Sequence, residues 1–158
     1  MKIQNVLVLP LLAGACLAQT AGSAPSHVVV TPDQVKWGPG PPGLPAGAQV
    51  SALSGDPSQP GVPFTLRAKL PDGYRVPPHW HPSDENLIIL QGTLMIGTGE
   101  KFNRSASHAA TVGTYTRMPK ETRHFVWTKG ETIFDVYGLG PFEITYVNPA
   151  DDPRKKSK

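Results

Sequence analysis

Residues 73–92 read GYRVPPHWHPSDENLIILQG, and this stretch carries the most informative pattern in the chain. His79 and His81 are two positions apart, so in a strand both imidazoles project from the same face. Glu85 has the same parity and follows a predicted bend at 82–84, which lets its side chain converge on that face. Neutral imidazoles beside a carboxylate are ligands for a divalent transition metal. The stretch therefore predicts a metal site that still needs a closing ligand and an enclosing fold.

The composition indicates one all-β domain. The chain has 158 residues, enough for a single domain with a substantial core. Its 16 glycines and 18 prolines separate short apolar runs, which is typical of strands joined by many turns. The net charge is +3, and basic residues crowd the two ends. Because the interior has no basic stripe with interleaved aromatic residues, we expect no nucleic-acid partner.

Residues 1–24 are predicted to be a signal peptide for export. Lys2 precedes an apolar run at 6–18 that is too short to span a bilayer, and small residues follow it. We therefore expect a secreted or periplasmic protein without a membrane span. A buried strand or helix is the alternative interpretation of the apolar run. The letters LLAGAC, which end at Cys16, also resemble a bacterial lipobox, so a lipid anchor is a second alternative.

The remainder divides into an arm, a barrel and a tail. Residues 25–48 are predicted to be an N-terminal arm that packs onto the barrel through Trp37, with an edge strand at 27–30. Residues 49–148 are predicted to form the barrel, and 149–158 a disordered polar tail. Strands are expected at 49–53, 64–70, 86–91, 93–98, 124–127, 132–138 and 143–147, with a tight hairpin at Gln91-Gly92 and one helical turn near Phe102 in an irregular segment at 100–110.

Arg67 lies on the polar face of the alternating segment FTLRAKL at 64–70. One interpretation is a solvated surface side chain, and the other is a cation at the mouth of a cavity that receives an anionic substrate.

A second informative stretch, GTYTRMPKETRHFVWT, occupies residues 113–128. A turn is predicted at Lys120-Glu121, and His124 begins an apolar strand. A lone histidine there is usually structural, but the first stretch lacks a closing ligand. Three imidazoles and one carboxylate make an octahedral or five-coordinate site with one or two positions open to water.

The two stretches resemble the two cupin motifs. The first has the full spacing of its motif, carried by Gly73, His79, His81, Glu85 and Gly92. In the second, the matching residues are Gly113, Pro119 and His124, whereas Glu121 stands where a turn glycine is usual and Thr128 where an asparagine is usual. The resemblance covers roughly 49–147 and is greatest to the anti-sigma-factor-type cupin domains.

The resemblance implies an all-β double-stranded β-helix, the cupin jelly-roll barrel of two antiparallel sheets. It implies that His79, His81, Glu85 and His124 hold iron, manganese, zinc, nickel or copper, and that the protein is a homodimer. Other side chains are candidates for supporting roles. Leu87, Ile89, Phe125 and Trp127 would line the pocket as walls or seal its floor, and Tyr115 and Gln91 would be hydrogen-bond partners of a ligand or bound water.

Two classes of function stay open. One is a metal-dependent enzyme acting on a small molecule, a dioxygenase or else a lyase or isomerase, with Glu85 as the candidate catalytic base. The other is a non-catalytic module that binds or senses a metal or small ligand. A cupin with an empty site is a third, which the retention of all four ligand residues disfavours. Fold alone does not decide among them.

Overall fold

The computed structural model describes residues 27–155, so the predicted signal peptide and Cys16 lie outside the described residues. The predicted all-β fold is confirmed. Residues 27–155 form nine strands, which are β1 (Gly38–Pro39), β2 (Gln49–Ser54), β3 (Pro63–Leu70), β4 (Arg75–Trp80), β5 (Glu85–Thr98), β6 (Ser107–Thr111), β7 (Tyr115–Met118), β8 (His124–Leu139) and β9 (Thr145–Tyr146). Four short 3-10 turns complete it, at Pro32–Gln34, Arg104–Ala106, Pro149–Asp151 and Pro153–Lys155.

The long strands β5 and β8 organise the jelly roll, because they pair with each other antiparallel along most of their length. The first half of β5 pairs with the second half of β8. In this part of the sheet, β7 lies beside β5, and β3, β2 and β1 follow in that order beside β8. Where the other halves of β5 and β8 pair, β6 lies beside β5, and β4 followed by β9 lies beside β8. The two predicted sheets are thus one curled antiparallel sheet whose two layers share β5 and β8.

The predicted hairpin at Gln91-Gly92 is wrong. Gly92 has a φ of 72° and interrupts the register between β5 and β8, but the strand continues through it. A Cβ at this position would lie 2.3 Å from the carbonyl oxygen of Glu131, so only glycine fits. The position is a bulge that bends the strand from one layer into the other, and Gly130 (φ 73°) lies at the corresponding bend of β8.

Several predicted boundaries also change. Residues 27–30 form no strand, and Val28 and Val29 are exposed. The predicted strands 124–127 and 132–138 are one continuous strand, β8, and the predicted strand 143–147 shrinks to the two residues of β9. In the irregular segment, the helical turn lies at Arg104–Ala106 and a strand follows it. The described part of the predicted disordered tail contains two 3-10 turns, with Asp152 buried. The limits of the arm and barrel stay predictions.

The core lies between the two layers, as alternation predicts. In β3, Phe64, Ala68 and Leu70 are buried while Thr65 and Lys69 are only half-buried. The same cluster includes Val76, Leu87, Ile89, Leu94, Met118, Val126, Phe134, Val136 and Tyr146.

Within residues 27–155, no helix is long and apolar enough to cross a membrane.

Candidate metal centre

Three strands and one bend bring the predicted ligands together. His79 lies near the end of β4, His81 directly after that strand, Glu85 at the start of β5 and His124 at the start of β8. His79 and His124 are cross-strand partners in the β4–β8 ladder. All four side chains are buried, with between 1% and 9% of each residue exposed. The convergence that strand parity predicted is therefore present.

The three histidines offer ligand atoms that all lie within 4.8 Å of one another. The carboxylate of Glu85 flanks this cluster: Oε2 lies 3.1 Å from His124 Nε2, and Oε1 lies 3.8 Å from His81 Nε2. His79 and His81 place their ring centroids 5.1 Å apart, and His79 and His124 place theirs 4.1 Å apart. The cluster is compact enough for the three imidazoles to share one ion.

Backbone carbonyls orient each imidazole. The Nδ1 atoms of His79, His81 and His124 lie 2.7, 2.7 and 2.9 Å from the carbonyl oxygens of Pro77, Glu143 and Thr122, respectively. A carbonyl oxygen only accepts, so each Nδ1 carries the proton and donates it. In a neutral ring this leaves Nε2 with a free lone pair, which is the form that binds a metal.

Polar atoms at the centre of the cluster have no hydrogen-bond partner. They are His81 Nε2, His124 Nε2 and Glu85 Oε2, all fully buried. Each unpaired buried polar atom costs about 1–3 kcal/mol, so a group of three converging ones needs an explanation. A divalent cation accepts the nitrogen lone pairs and neutralises the carboxylate at once. The donor set of three imidazoles with an adjacent carboxylate fits zinc, iron, manganese, nickel or copper.

Electrostatics keeps most of the ligands in the binding form. Burial lowers the pKa of His79 well below its usual range, and the neighbouring His124 and His81 lower it further. Burial also lowers the pKa of His81. Burial by itself raises the pKa of Glu85, but His81 and His124 outweigh it and bring that pKa to about 2. Glu85 in turn raises the pKa of His124 against the effect of burial. Without an ion, Glu85 and His124 compensate each other.

A cavity of about 640 Å³ adjoins the cluster. Its walls are mostly apolar side chains of the barrel interior, such as Leu66, Leu87, Val126 and Val136. Segments outside the main strands complete the wall, namely Pro39 and residues 41–44 before β2, residues 142–144 after β8, and Arg154 near the C-terminus. The volume lies in the range of pockets that hold small organic ligands.

Of the four predicted wall residues, Leu87 alone lines this cavity. Phe125 and Trp127 alternate with His124 and Val126 along β8 and therefore face the other side. There, Phe125 packs against Phe102 with ring centroids 4.9 Å apart, and the Trp127 indole donates to Ser107 Oγ at 3.1 Å. Ile89 is buried in the core without lining the cavity.

The predicted hydrogen-bond partners of the site are wrong. The hydroxyl of Tyr115, an exposed residue, donates to Asn86 at 3.0 Å, and the exposed Gln91 donates to Glu131 at 3.3 Å. Neither residue lines the cavity.

Arg67 is half-buried, and it lines a second, smaller pocket of about 250 Å³ and not the metal cavity. Its guanidinium makes a bidentate, partly buried pair with Asp135, at 2.7 and 2.9 Å, away from the cavity. Asp84 is a turn residue as predicted, since its carboxylate accepts hydrogen bonds from Arg117 and from the backbone of Lys120.

The turn before His124 contributes to the site through its backbone. Glu121, at the position where a turn glycine is usual, has a φ of 63° and is the one non-glycine residue with positive φ among the described residues. Its backbone N–H donates to the carbonyl of His81 at 2.8 Å, and the carbonyl of Thr122 accepts from His124. The turn thus keeps the usual left-handed geometry without glycine.

Sequence reasoning missed two contributors. Tyr146 in β9 is buried and pairs with His79 in register, with ring centroids 6.1 Å apart. The loop at 39–45, PGPPGLP, lines the cavity, although its prolines and glycines indicated only an extended arm. A proline-rich sequence indicates a backbone of restricted conformation, but it does not indicate which part of the protein the loop packs against.

A jelly-roll barrel with three inward, carbonyl-oriented histidines beside an apolar cavity defines a cupin with a candidate metal centre. The chain belongs to the family of ChrR cupin-like domains, which matches residues 25–143. The predicted resemblance to anti-sigma-factor-type cupins is therefore confirmed.

Solved structures with a similar fold come from proteins with different names. The polyketide cyclase RemF from Streptomyces resistomycificus is 15% identical with a TM-score of 0.63, over 82% of this chain and 92% of that chain. A putative acetylacetone dioxygenase from Methylibium petroleiphilum is 22% identical with a TM-score of 0.62, over 84% and 88%. KdgF from Halomonas sp. is 15% identical with a TM-score of 0.54, over 73% and 96%. At such identities the similarity shows the fold alone. No curated protein is significantly similar to this chain.

Proposed function

We propose that this cupin binds one divalent transition metal through His79, His81, His124 and Glu85 and acts on a small molecule held in the adjoining cavity, as a dioxygenase-like enzyme. The observation that carries the proposal is the group of unpaired, buried donor atoms, two imidazole nitrogens and a carboxylate oxygen, that point at one another. Two of them, His124 Nε2 and Glu85 Oε2, lie 3.1 Å apart without forming a hydrogen bond, and His81 Nε2 has no hydrogen-bond partner. A site built only for stability would have completed these hydrogen bonds or replaced the groups with apolar side chains.

Glu85 fits the role of a fourth ligand better than that of a general base. Its pKa of about 2 means that the carboxylate is ionised at neutral pH and binds protons weakly. An effective general base has a pKa near the working pH. A metal ligand, by contrast, needs only to be ionised and close, and Glu85 lies 3.1 Å from His124 Nε2.

The roles of the chain's own residues follow from the geometry. When bound, the metal supplies a Lewis acid and, where it is redox-active, a centre for dioxygen chemistry. The carbonyls of Pro77, Glu143 and Thr122 hold the three imidazoles in one tautomer and orientation. The walls of the cavity are mostly apolar, which lowers the local dielectric constant and strengthens the electrostatic interactions at its polar end.

A non-catalytic module that binds a metal and a small ligand is the second candidate. The observation in its favour is the scarcity of acid–base groups. Among the described residues that line the cavity, the ionisable ones are the four proposed ligands, the exposed Glu143, and Arg154, which is paired with Asp152. A binding module needs no further group, whereas many reactions do.

Metal analysis of protein purified from its own host, followed by dioxygen uptake with phenolic and diketone compounds, tests the proposal. About one metal per chain together with substrate-dependent uptake supports the enzyme. Bound metal with no uptake on any compound supports the binding module. A folded protein without metal, even after incubation with zinc, iron and manganese salts, contradicts both. Glu85→Gln keeps the shape of the side chain but removes its charge, and we expect weaker metal binding from it.

Export and dimerisation belong to the same proposal. Export rests on the basic and apolar pattern of residues 1–24, and dimerisation on exposed apolar side chains of paired strands, such as Ile88 and Tyr115. Cell fractionation and sedimentation equilibrium test the two statements. Protein found only in the cytoplasm, or a monomer at micromolar concentration, contradicts the respective one. Labelling with palmitate tests the lipid anchor at Cys16.

A further inference from the structure

The loop at 39–45, here called the proline loop, closes one wall of the metal cavity. Pro39, Pro41, Pro42, Gly43 and Leu44 line the same cavity as the three histidines. The loop begins where β1 pairs with β2, and Gly40 donates its backbone N–H to Ala48 at 2.9 Å. Its two ends are thus attached to the edge of the sheet while its middle faces the cavity.

Two buried tyrosine hydroxyls hold the proline loop in place. Tyr146 donates to the carbonyl of Gly43 at 2.7 Å, and Tyr74 donates to the carbonyl of Pro45. Gly43 is also tightly packed, since a Cβ there would lie 2.6 Å from Ile144 Cγ2, another wall atom. Tyr146 pairs with His79 in the sheet, so one residue connects the loop to the metal cluster.

The cavity walls are suited to an uncharged body. Away from the four proposed ligands, the charged side chains at the wall are Glu143, which is exposed, and Arg154. The guanidinium of Arg154 makes a bidentate pair with Asp152, at 2.8 Å for both contacts, and donates to the carbonyl of Ile144 at 3.1 Å. A charged group of a ligand placed against the apolar walls would lose its hydration without a partner.

We propose that the proline loop is the specificity-determining cover of this cavity, held by Tyr146 and Tyr74, and that the ligand it admits is a small molecule with an uncharged, apolar body and one polar end that faces the histidine cluster. This proposal rests on the proposed function, because it takes the cavity as the ligand site of the metal centre. Leu44 is the loop residue that contacts the body of the ligand, and the two tyrosine contacts slow the release of that ligand.

Binding of N-phenyl-1-naphthylamine, a neutral apolar fluorophore, to the zinc-loaded chain tests the proposal. We expect saturable binding with one site per chain, displaced by decanol and not by maltose at a hundredfold higher concentration. Leu44→Trp fills the cavity and should weaken binding by about tenfold. Leu44→Ala only removes contact area and should weaken it by about threefold. If Leu44→Trp does not fold, Leu44→Ala decides, and unchanged affinity in that variant overturns the proposal.

The rate of probe release tests the tyrosine contacts separately. Tyr146→Phe should release the probe about fivefold faster in stopped-flow fluorescence, the change expected for one lost hydrogen bond, with a smaller change in affinity. Tyr115→Phe is the matched control, because it removes a tyrosine hydrogen bond outside the cavity and should leave the rate unchanged. Equal rates of probe release from the wild type, Tyr146→Phe and Tyr115→Phe overturn the proposal, as does displacement of the probe by maltose.

Zinc content measured on the same samples separates this inference from the proposed function. A chain that holds zinc but does not bind the probe contradicts the ligand class and leaves the metal site standing. A chain that binds the probe but holds no zinc contradicts the metal site.

Discussion

Two acid–base pairs, one inside the barrel and one outside, differ in whether their polar atoms all have hydrogen-bond partners. Outside, Arg67 and Asp135 face each other across β3 and β8 and close a bidentate pair, with 18% of each side chain exposed. Inside, Glu85 and His124 lie 3.1 Å apart, yet Glu85 Oε2 and His124 Nε2 have no hydrogen-bond partner. Arg67 and Asp135 form hydrogen bonds to each other, whereas Glu85 and His124 keep atoms that can bind a third group.

The difference teaches how to separate a structural pair from a functional one. Both pairs involve β8 and both are at least partly buried, so neither position nor charge distinguishes them. The deciding property is the number of donor or acceptor atoms left unused after the protein's own contacts are counted. The inner pair has two further histidines around it and the metal cavity beside it. The outer pair has no such histidines, and its Arg67 lines a smaller pocket of about 250 Å³.

The largest expected effect is the loss of metal from His81→Ala. Removing one imidazole from the cluster should reduce the metal content to near zero and lower the stability of the metal-loaded protein by about 4 kcal/mol when free metal exceeds its Kd a thousandfold. Metal analysis and thermal unfolding with and without a chelator measure this. His108→Ala, at an exposed histidine of β6, is the control and should change neither. Metal content equal to the wild type would refute the assignment of His81.

Arg67→Ala should give the opposite pattern. It leaves Asp135 without its bidentate partner and should cost about 1–3 kcal/mol, equally with metal and with chelator. Metal loss in this variant would show that the two pairs are coupled and would break the comparison.

Acid should destabilise the chelated protein in two steps. The folded-state pKa values of His79 and His81 lie below the usual 6.5, so the unfolded chain binds more protons and stability falls as the pH drops below 6.5. The pKa of Glu85 is about 2 instead of 4.5, so its contribution is present above pH 4.5 and is lost as the pH falls toward 2. His124, with a raised pKa, acts in the opposite direction, and its contribution is lost as the pH rises.

Urea unfolding from pH 8 to pH 3 measures these steps. Glu85→Gln should lack the lower one, worth roughly 2 kcal/mol between pH 4.5 and pH 3 at 1.36 kcal/mol per pKa unit. An unchanged slope between pH 4.5 and 3 in that variant would exclude the paired carboxylate as its source.

The smallest expected effect is a gain from Glu121→Gly. Glycine adopts a φ of 63° without the steric cost that a Cβ imposes, so stability should rise by about 1 kcal/mol, or about 2–4 °C in Tm. Metal content should stay the same, because the backbone contacts to His81 and His124 are retained. Lys120→Gly, one position earlier and without positive φ, is the matched control and should destabilise. A loss of stability in both variants would mean that the Glu121 side chain itself contributes.

The sequence predicted the metal cluster better than its surroundings. His79, His81 and Glu85 share one parity within a short stretch, and parity is a local property of a strand. The second stretch supplied His124 through its motif spacing. The walls were harder, because the same parity places Phe125 and Trp127 on the opposite face from His124, and only the pairing of β8 shows which face is inside.

The boundaries of strands were the least predictable part of the fold. Gln91-Gly92 has the composition of a tight hairpin, yet β5 continues through it because β8 supplies hydrogen-bond partners on both sides of the bulge. Similarly, the pairing of β3 and β4 with different halves of β8 makes one strand out of two predicted ones. These pairings join residues far apart in the chain, and no local pattern reports them.

By itself, the sequence determined the all-β class, the family and three histidines that share a site, because turn composition, alternation and motif spacing are written in neighbouring residues. Only the tertiary structure decided which donor atoms stay unpaired, which walls enclose the cavity, and that the proline loop reaches it. The physical reason is that the hydrogen-bond partners of a buried atom and the walls of a cavity depend on every group within a few ångströms. Those groups come from distant parts of the chain.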